Sequence, residues 1–158
     1  MRSTDVPDAE PRRSLRLLSC ALLCFVLVGC ATPSPTYPDY RAKVSTTAKA
    51  MTGIISSAQL GARSWQRGQV LDTYADVVVS HAEQDAGSVQ NTLDSRQPPN
   101  KGAIELKERI DPALQDATSA LTDLRIALRR GDRAGVSKAL DDLDQPMKRL
   151  QAIEQQTS

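Results

Sequence analysis

Thiols, aromatic rings and surplus charge are all scarce in this 158-residue chain, and each shortage removes a class of chemistry. The three cysteines, Cys20, Cys24 and Cys30, stand at or before residue 30. Everything after them therefore lacks the means to form an internal disulfide or a thiolate metal site. Beyond Phe25 the only rings are Tyr37, Tyr40, Trp65 and Tyr74, which disfavours carbohydrate and base-stacking sites. The net charge is +1, and it falls to zero for residues 30–158 once the four arginines and three acids of residues 1–29 are set aside. A chain with no basic excess is a poor phosphate neutraliser, so no nucleic-acid partner is expected.

Catalytic constellations are equally thin. There is no Gly-x-Ser-x-Gly elbow and no phosphate loop, and His81 is the sole histidine, so a nucleophile–base pair has little to draw on. A carboxylate-bridged metal centre in a helical bundle needs Glu-x-x-His pairs on facing helices, and none exists. His81 is expected at the edge of the core with its ring hydrogen-bonded. The chain is read as noncatalytic, with no cofactor and no metal. Asp141-Asp142 belongs to a solvated face beside Lys138 and Arg149, and Glu105–Arg109 and Asp144–Lys148 read as i, i+4 surface pairs.

What is present begins with an apolar run from Leu15 to Val28, preceded by Arg12, Arg13 and Arg16. A basic segment, a short apolar segment and small closing residues are the marks of a secretory signal peptide. The run is shorter than the roughly 20 residues a spanning helix needs. Its end, Leu27-Val28-Gly29-Cys30, resembles the lipobox of bacterial lipoproteins. That resemblance implies that the Cys30 thiol receives a diacylglyceryl group (acyl chains such as palmitate), that cleavage removes residues 1–29, and that Cys30 becomes the mature N-terminus. It further implies a cell-membrane location, lipid-anchored and facing the extracytoplasmic side. Two acyl chains suffice for stable anchoring, at about 0.8 kcal/mol per buried methylene. Arg12-Arg13-Ser14-Leu15-Arg16 also resembles a twin-arginine export signal, and the choice between the general and twin-arginine export routes stays open.

After the lipidated Cys30, residues 31–38 hold three prolines and read as an extended tether reaching up to ~25 Å at ~3.1 Å per residue. Residues 39–158 are read as one all-α domain, an antiparallel up-down four-helix bundle. Spacings of three and four predict a first helix from about Asp39 to Arg67, with Val44, Thr47, Met51, Ile54, Ala58, Gly61 and Trp65 as its stripe. The second runs from about Gln69 to Leu93, its stripe drawn through Leu71, Tyr74, Val78, His81, Ala82, Val89 and Leu93. Pro98-Pro99 separates it from a third over Lys101–Arg130, striped by Leu106, Ile110, Leu114, Ala117, Leu121, Leu124 and Leu128. Pro112 either kinks that helix or divides it. Gly131 and Asp132 read as terminator and cap before a fourth helix to about Gln155, striped by Val136, Leu140, Leu143, Met147 and Leu150 and bent at Pro146, so Arg130-Gly131-Asp132 is a helix corner before it is an adhesive tripeptide.

The first helix carries Arg41, Lys43, Lys49, Arg63 and Arg67 with no acid among them; the second carries Asp72, Asp76, Glu83, Asp85 and Asp94 with no lysine or arginine. Pairing between the two helices is the favoured expectation, and contact of the basic helix with anionic lipid headgroups is the alternative. Val77, Val79, Ile104 and Ile126 fall off the main stripes and form the candidate contact surface for an envelope protein partner. Met51, Trp65, Tyr74 and His81 form the candidate pocket of the alternative function, a carrier or sensor of a small hydrophobic ligand.

Overall fold

In the computed structural model the described residues are 36–158, and all of their regular structure is helical. The expected signal peptide, the lipobox-like stretch with Cys30, and most of the expected proline-rich tether lie outside the described residues. Helix α1 spans Tyr37–Gln66, α2 Asp72–Asp94, α3 Lys101–Arg129, α4 Arg133–Asp142 and α5 Asp144–Thr157. The last two are successive pieces of one broken rod, so the architecture is four helices packed side by side.

Each boundary has a local cause. Thr36 caps α1 in a reciprocal box with Asp39: the Asp39 amide donates to the Thr36 hydroxyl at 3.4 Å, and the Thr36 amide donates to the Asp39 carboxylate at 3.1 Å. This starts the helix two residues earlier than expected and takes Tyr37 and Pro38 from the tether, since a first-turn proline forfeits no intrahelical bond. Gly68 and Gly131 adopt φ of +69° and +64°, the left-handed geometry that turns the chain after α1 and α3. Asn100 caps α3 through the Ala103 amide at 3.0 Å, and Asp132 caps α4 through the Gly135 amide at 2.9 Å.

The two internal prolines behave differently. Helix α3 passes through Pro112 without a break; Glu108, whose carbonyl loses its amide partner there, and Pro112 are both on the exposed side, where water can replace the bond. At Pro146 the helix breaks at Leu143, one turn before the ring, where the proline would collide with the carbonyl four residues back. Burial of Leu143 and Pro146 holds the joint against the core.

Cross-helix contacts give the up-down order. Along α2 and α3, Asp76 pairs with Arg129, Glu83 with Arg125, and Asp94 with Lys107, a descending series that only antiparallel helices produce. Along α1 and the α4–α5 rod, Arg41 reaches the Gln156 carbonyl, Gln59 reaches Asp144, and Gln66 reaches Ser137. One buried apolar cluster runs from Tyr40 to Ile153 through all the helices, and Pro35–Ser158 forms a compact unit around it. This part of the chain therefore closes its own core.

The expected core faces of α1, α3 and the last rod are the observed ones. The face expected for α2 is rotated: Ala82 and Leu93 are buried as expected and Val89 packs against the core, but the rest of the face differs. Ala75, Val79, Ala82, Ala86 and Leu93 point inward, while Leu71, Tyr74 and His81 are exposed. Small residues win because α1 and α2 approach closely: a Cβ placed on Gly61 would lie 2.9 Å from Val78 Cγ1. Gly61→Leu should therefore lower unfolding free energy by ~1–3 kcal/mol through overpacking. Gly53→Ala, where an added Cβ meets nothing within 4 Å, should raise it by up to ~1 kcal/mol through helix propensity. Urea melts of residues 31–158 followed by circular dichroism distinguish the two, and equal effects would refute the close contact.

Candidate interaction surface

The rotation of α2 decides where its charges go. Asp72, Asp76, Glu83 and Asp94 share one edge of the helix, and when the alanine face meets α1 the last three turn toward α3 while Asp72 stays in reach of Trp65 at the corner. Glu83 pairs with Arg125 and accepts a hydrogen bond from the Thr122 hydroxyl at 2.6 Å. Arg129 reaches Asp76 at 2.8 Å, and Lys107 bridges Asp94 at 2.6 Å and Asp111 at 2.9 Å. Asp72 accepts the Trp65 indole N–H at 2.6 Å. The expected pairing of α1 with α2 is thus corrected: among the described residues no ion pair joins these helices, and α3 takes most of the acids. Lys43, Lys49 and Arg63 are left without an acidic partner among the described residues.

These partners shift the titration of the acids. Burial alone would raise Glu83, but the Arg125 guanidinium and the Thr122 hydroxyl outweigh it and hold the carboxyl below its ordinary 4.5. Hydrogen bonding from Arg129 lowers Asp76. For Lys107, burial pulls downward, yet the Asp94 and Asp111 carboxylates hold the ammonium above its usual value.

The surface pairs fall differently from expectation as well. Glu105 lies 3.9 Å from Lys101, Arg109 reaches Gln156, and Asp144 accepts from Gln59. The i, i+4 pairs formed are Lys101–Glu105, Lys107–Asp111 and Lys138–Asp142.

The predicted contact surface does not hold together. Val79 is buried in the α2 core face. Ile126 is half-buried, and Ile104 is exposed but lies 22 residues from it on α3, about 33 Å at 1.5 Å per residue. Val77 is exposed, like Ile104, and it has company that the stripes concealed. Leu60 (66% exposed), Leu71 (78%), Tyr74 (58%) and Val77 (50%) are four of the six large apolar side chains most exposed among the described residues, and all four lie on α1, α2 or the turn between them. Open grooves of about 320 Å³ and 530 Å³ follow the α1–α2 seam here and share Ser57 and Val78.

The predicted pocket is not assembled either. Met51 is enclosed in the core, and Trp65 is wedged at the α1–α2 corner with the Arg133 guanidinium 5.0 Å from its ring centre. Tyr74 lines the smaller groove and His81 the larger, both on the outside. His81 is thus exposed, not the core-edge ring expected, because the alanine face displaces it. No group of three or more His, Cys, Asp or Glu among the described residues is placed to hold a metal ion, and none of the described helices is long and apolar enough to cross a membrane.

At the other end of the bundle Tyr40 is buried with its hydroxyl unpartnered among the described residues, and burial pushes its phenol pKa up. No family model matches this sequence, and no significant similarity to a curated protein or a solved structure was found.

Two outcomes follow from these side chains. Tyr40→Phe removes a desolvated hydroxyl without loss of a bond, so unfolding free energy should stay level or rise by about 1 kcal/mol; a fall of that size would show that the hydroxyl is satisfied in solution. Because the folded pKa of Glu83 lies below the unfolded value, its contribution is complete above about pH 4.5 and is lost as pH falls through the folded value. Glu83→Gln should accordingly flatten the acid limb of a Tm–pH curve while lowering Tm near neutrality. An unchanged limb would contradict the Arg125 pairing.

Proposed function

We propose that this chain is a noncatalytic lipoprotein of the bacterial envelope, moored through Cys30, whose helical bundle presents the α1–α2 face to another envelope component. Anchoring rests on the resemblance of Leu27-Val28-Gly29-Cys30 to a lipobox. The binding role rests on one observation: large apolar side chains gather at the α1–α2 corner, whereas the α2–α3 face is laced by ion pairs. Scattered single apolar residues are ordinary on protein surfaces, whereas a local cluster marks an interaction site. Leu60, Tyr74 and Val77 replace the earlier quartet as its core.

The ligand-carrier alternative has less support, since its four residues divide between the packed core and open grooves. No specific observation favours it.

Cys30→Ser should release the protein from the membrane fraction and abolish incorporation of labelled fatty acid; membrane retention with the substitution in place would sink the anchor. A photocrosslinking residue at Tyr74 should give a discrete adduct in intact cells, while the same residue at Asp123, on the α3 side, gives none. Equal, diffuse adducts from both positions would remove the binding face.

A further inference from the structure

Charge on the bundle is unevenly shared although residues 30–158 sum to zero. Asp116, Asp123, Asp141 and Asp142 line one open groove between α3 and the last rod, with Asp116 and Asp142 paired to Arg149 and Lys138 and the other two facing water. The α1 side is the reverse. From Arg41 to Arg67 this helix has no acid, and three acids of its neighbour, Asp76, Glu83 and Asp94, pair with α3, while Asp85 stays on the α1–α2 groove.

Three of the exposed cations, Lys49, Arg63 and Arg67, flank Leu60. Lys49, Leu60 and Arg67 are separated by eleven and seven residues, near-whole numbers of turns at 3.6 residues each, so they fall along one line of the helix. The line is about 27 Å long at 1.5 Å per residue. Tyr74 lines the groove beside Leu60, Val77 lines the next groove along the same seam, and Leu71 stands exposed in the turn that follows Arg67. A cationic line bordered by exposed aliphatic and tyrosyl side chains is the composition of an interfacial membrane-binding surface, in which apolar groups enter the headgroup boundary and cations meet lipid phosphates.

Resting on the reading that this face meets an envelope component, we infer that the component is the anionic surface of the lipid bilayer itself, against which the bundle lies along α1. The arrangement discriminates against an acidic peptide. Such a peptide would need the α1–α2 groove, whose wall carries Asp85, while the free cations stand on the ridge outside it. A second copy is disfavoured because like faces would oppose Lys49, Arg63 and Arg67 with themselves. The expected tether agrees with the geometry. Cys30 precedes the helix cap Thr36 by six residues, at most about 19 Å of extended chain, so a lipidated Cys30 keeps the start of α1 near the headgroups.

The test uses residues 31–158, which close their own core and contain no cysteine. The protein should co-sediment with phosphatidylglycerol–phosphatidylcholine vesicles at low salt, and lose that binding at high salt or on pure phosphatidylcholine. The triple variant Lys49→Glu, Arg63→Glu, Arg67→Glu should bind at least about tenfold more weakly, with its thermal melt checked to exclude unfolding. An environment-sensitive dye on Tyr74→Cys should shift to the blue on anionic vesicles, and the same dye on Asp123→Cys should not. Absence of binding at low salt, binding indifferent to the triple reversal, or equal dye shifts at both positions would overturn the inference. A discrete protein adduct from Tyr74 in cells, with no vesicle binding, would overturn it while leaving the binding face itself standing.

Discussion

Everything distinctive about this bundle depends on how closely α1 and α2 approach. Gly61 leaves no room for a side chain before Val78, and α2 answers with Ala75, Val79, Ala82 and Ala86. Close helix contact maximises the number of atoms at van der Waals distance, and interiors tolerate little slack. Once the small residues are turned inward, the rest of α2 follows: Asp76, Glu83 and Asp94 lie toward α3, Asp85 stays on the α1–α2 groove, and Tyr74 and Val77 lie toward water. The same rotation thus produces the Glu83–Arg125 and Asp76–Arg129 pairs, the unmatched cations of α1, and the exposed Tyr74 and Val77.

The partition of charge follows from packing and not from attraction between neighbouring segments. Opposite signs on consecutive helices invite an inference of pairing, yet exposed ion pairs contribute only ~0–1 kcal/mol each. Burying an alanine–valine face along most of a helix contributes several times that at about 25 cal/mol per Å² of apolar area. Packing therefore sets the rotation and electrostatics adapts to it. Residues on α3 supply the bases, with Lys107, Arg125 and Arg129 spaced to meet Asp94, Glu83 and Asp76.

This explains how much could be read from the residues alone. Helix number, order and three of the four core faces were legible because leucine, isoleucine and valine recur every three to four positions in α1, α3 and α4–α5. Gly68, Gly131 and Asp132 announced their turns, and the Pro98-Pro99 break was plain. Helix α2 was misread because its stripe was drawn through its largest apolar residues, whereas alanines fill the contact. Gly61 already stands in the α1 stripe; the unread signal is its counterpart on α2, where Ala75, Val79 and Ala86 join Ala82 on one face. That one rotation carried the other site errors with it: Val79 was placed outside, Tyr74 and His81 inside. The proposed anchor at Cys30 rests on four consecutive residues, whereas a surface assembled from two helices depends on how those helices are rotated.

The rotation of α2 is measured most directly by thiol accessibility in residues 31–158, which have no native cysteine. Val77→Cys and Val79→Cys differ by two positions and, in this fold, by opposite sides of the helix. Under native conditions Val77→Cys should react with a thiol reagent nearly as fast as an unfolded control, and Val79→Cys should react only through unfolding, orders of magnitude more slowly. Rapid reaction at Val79→Cys with protection at Val77→Cys would contradict the structure of this face and everything drawn from it.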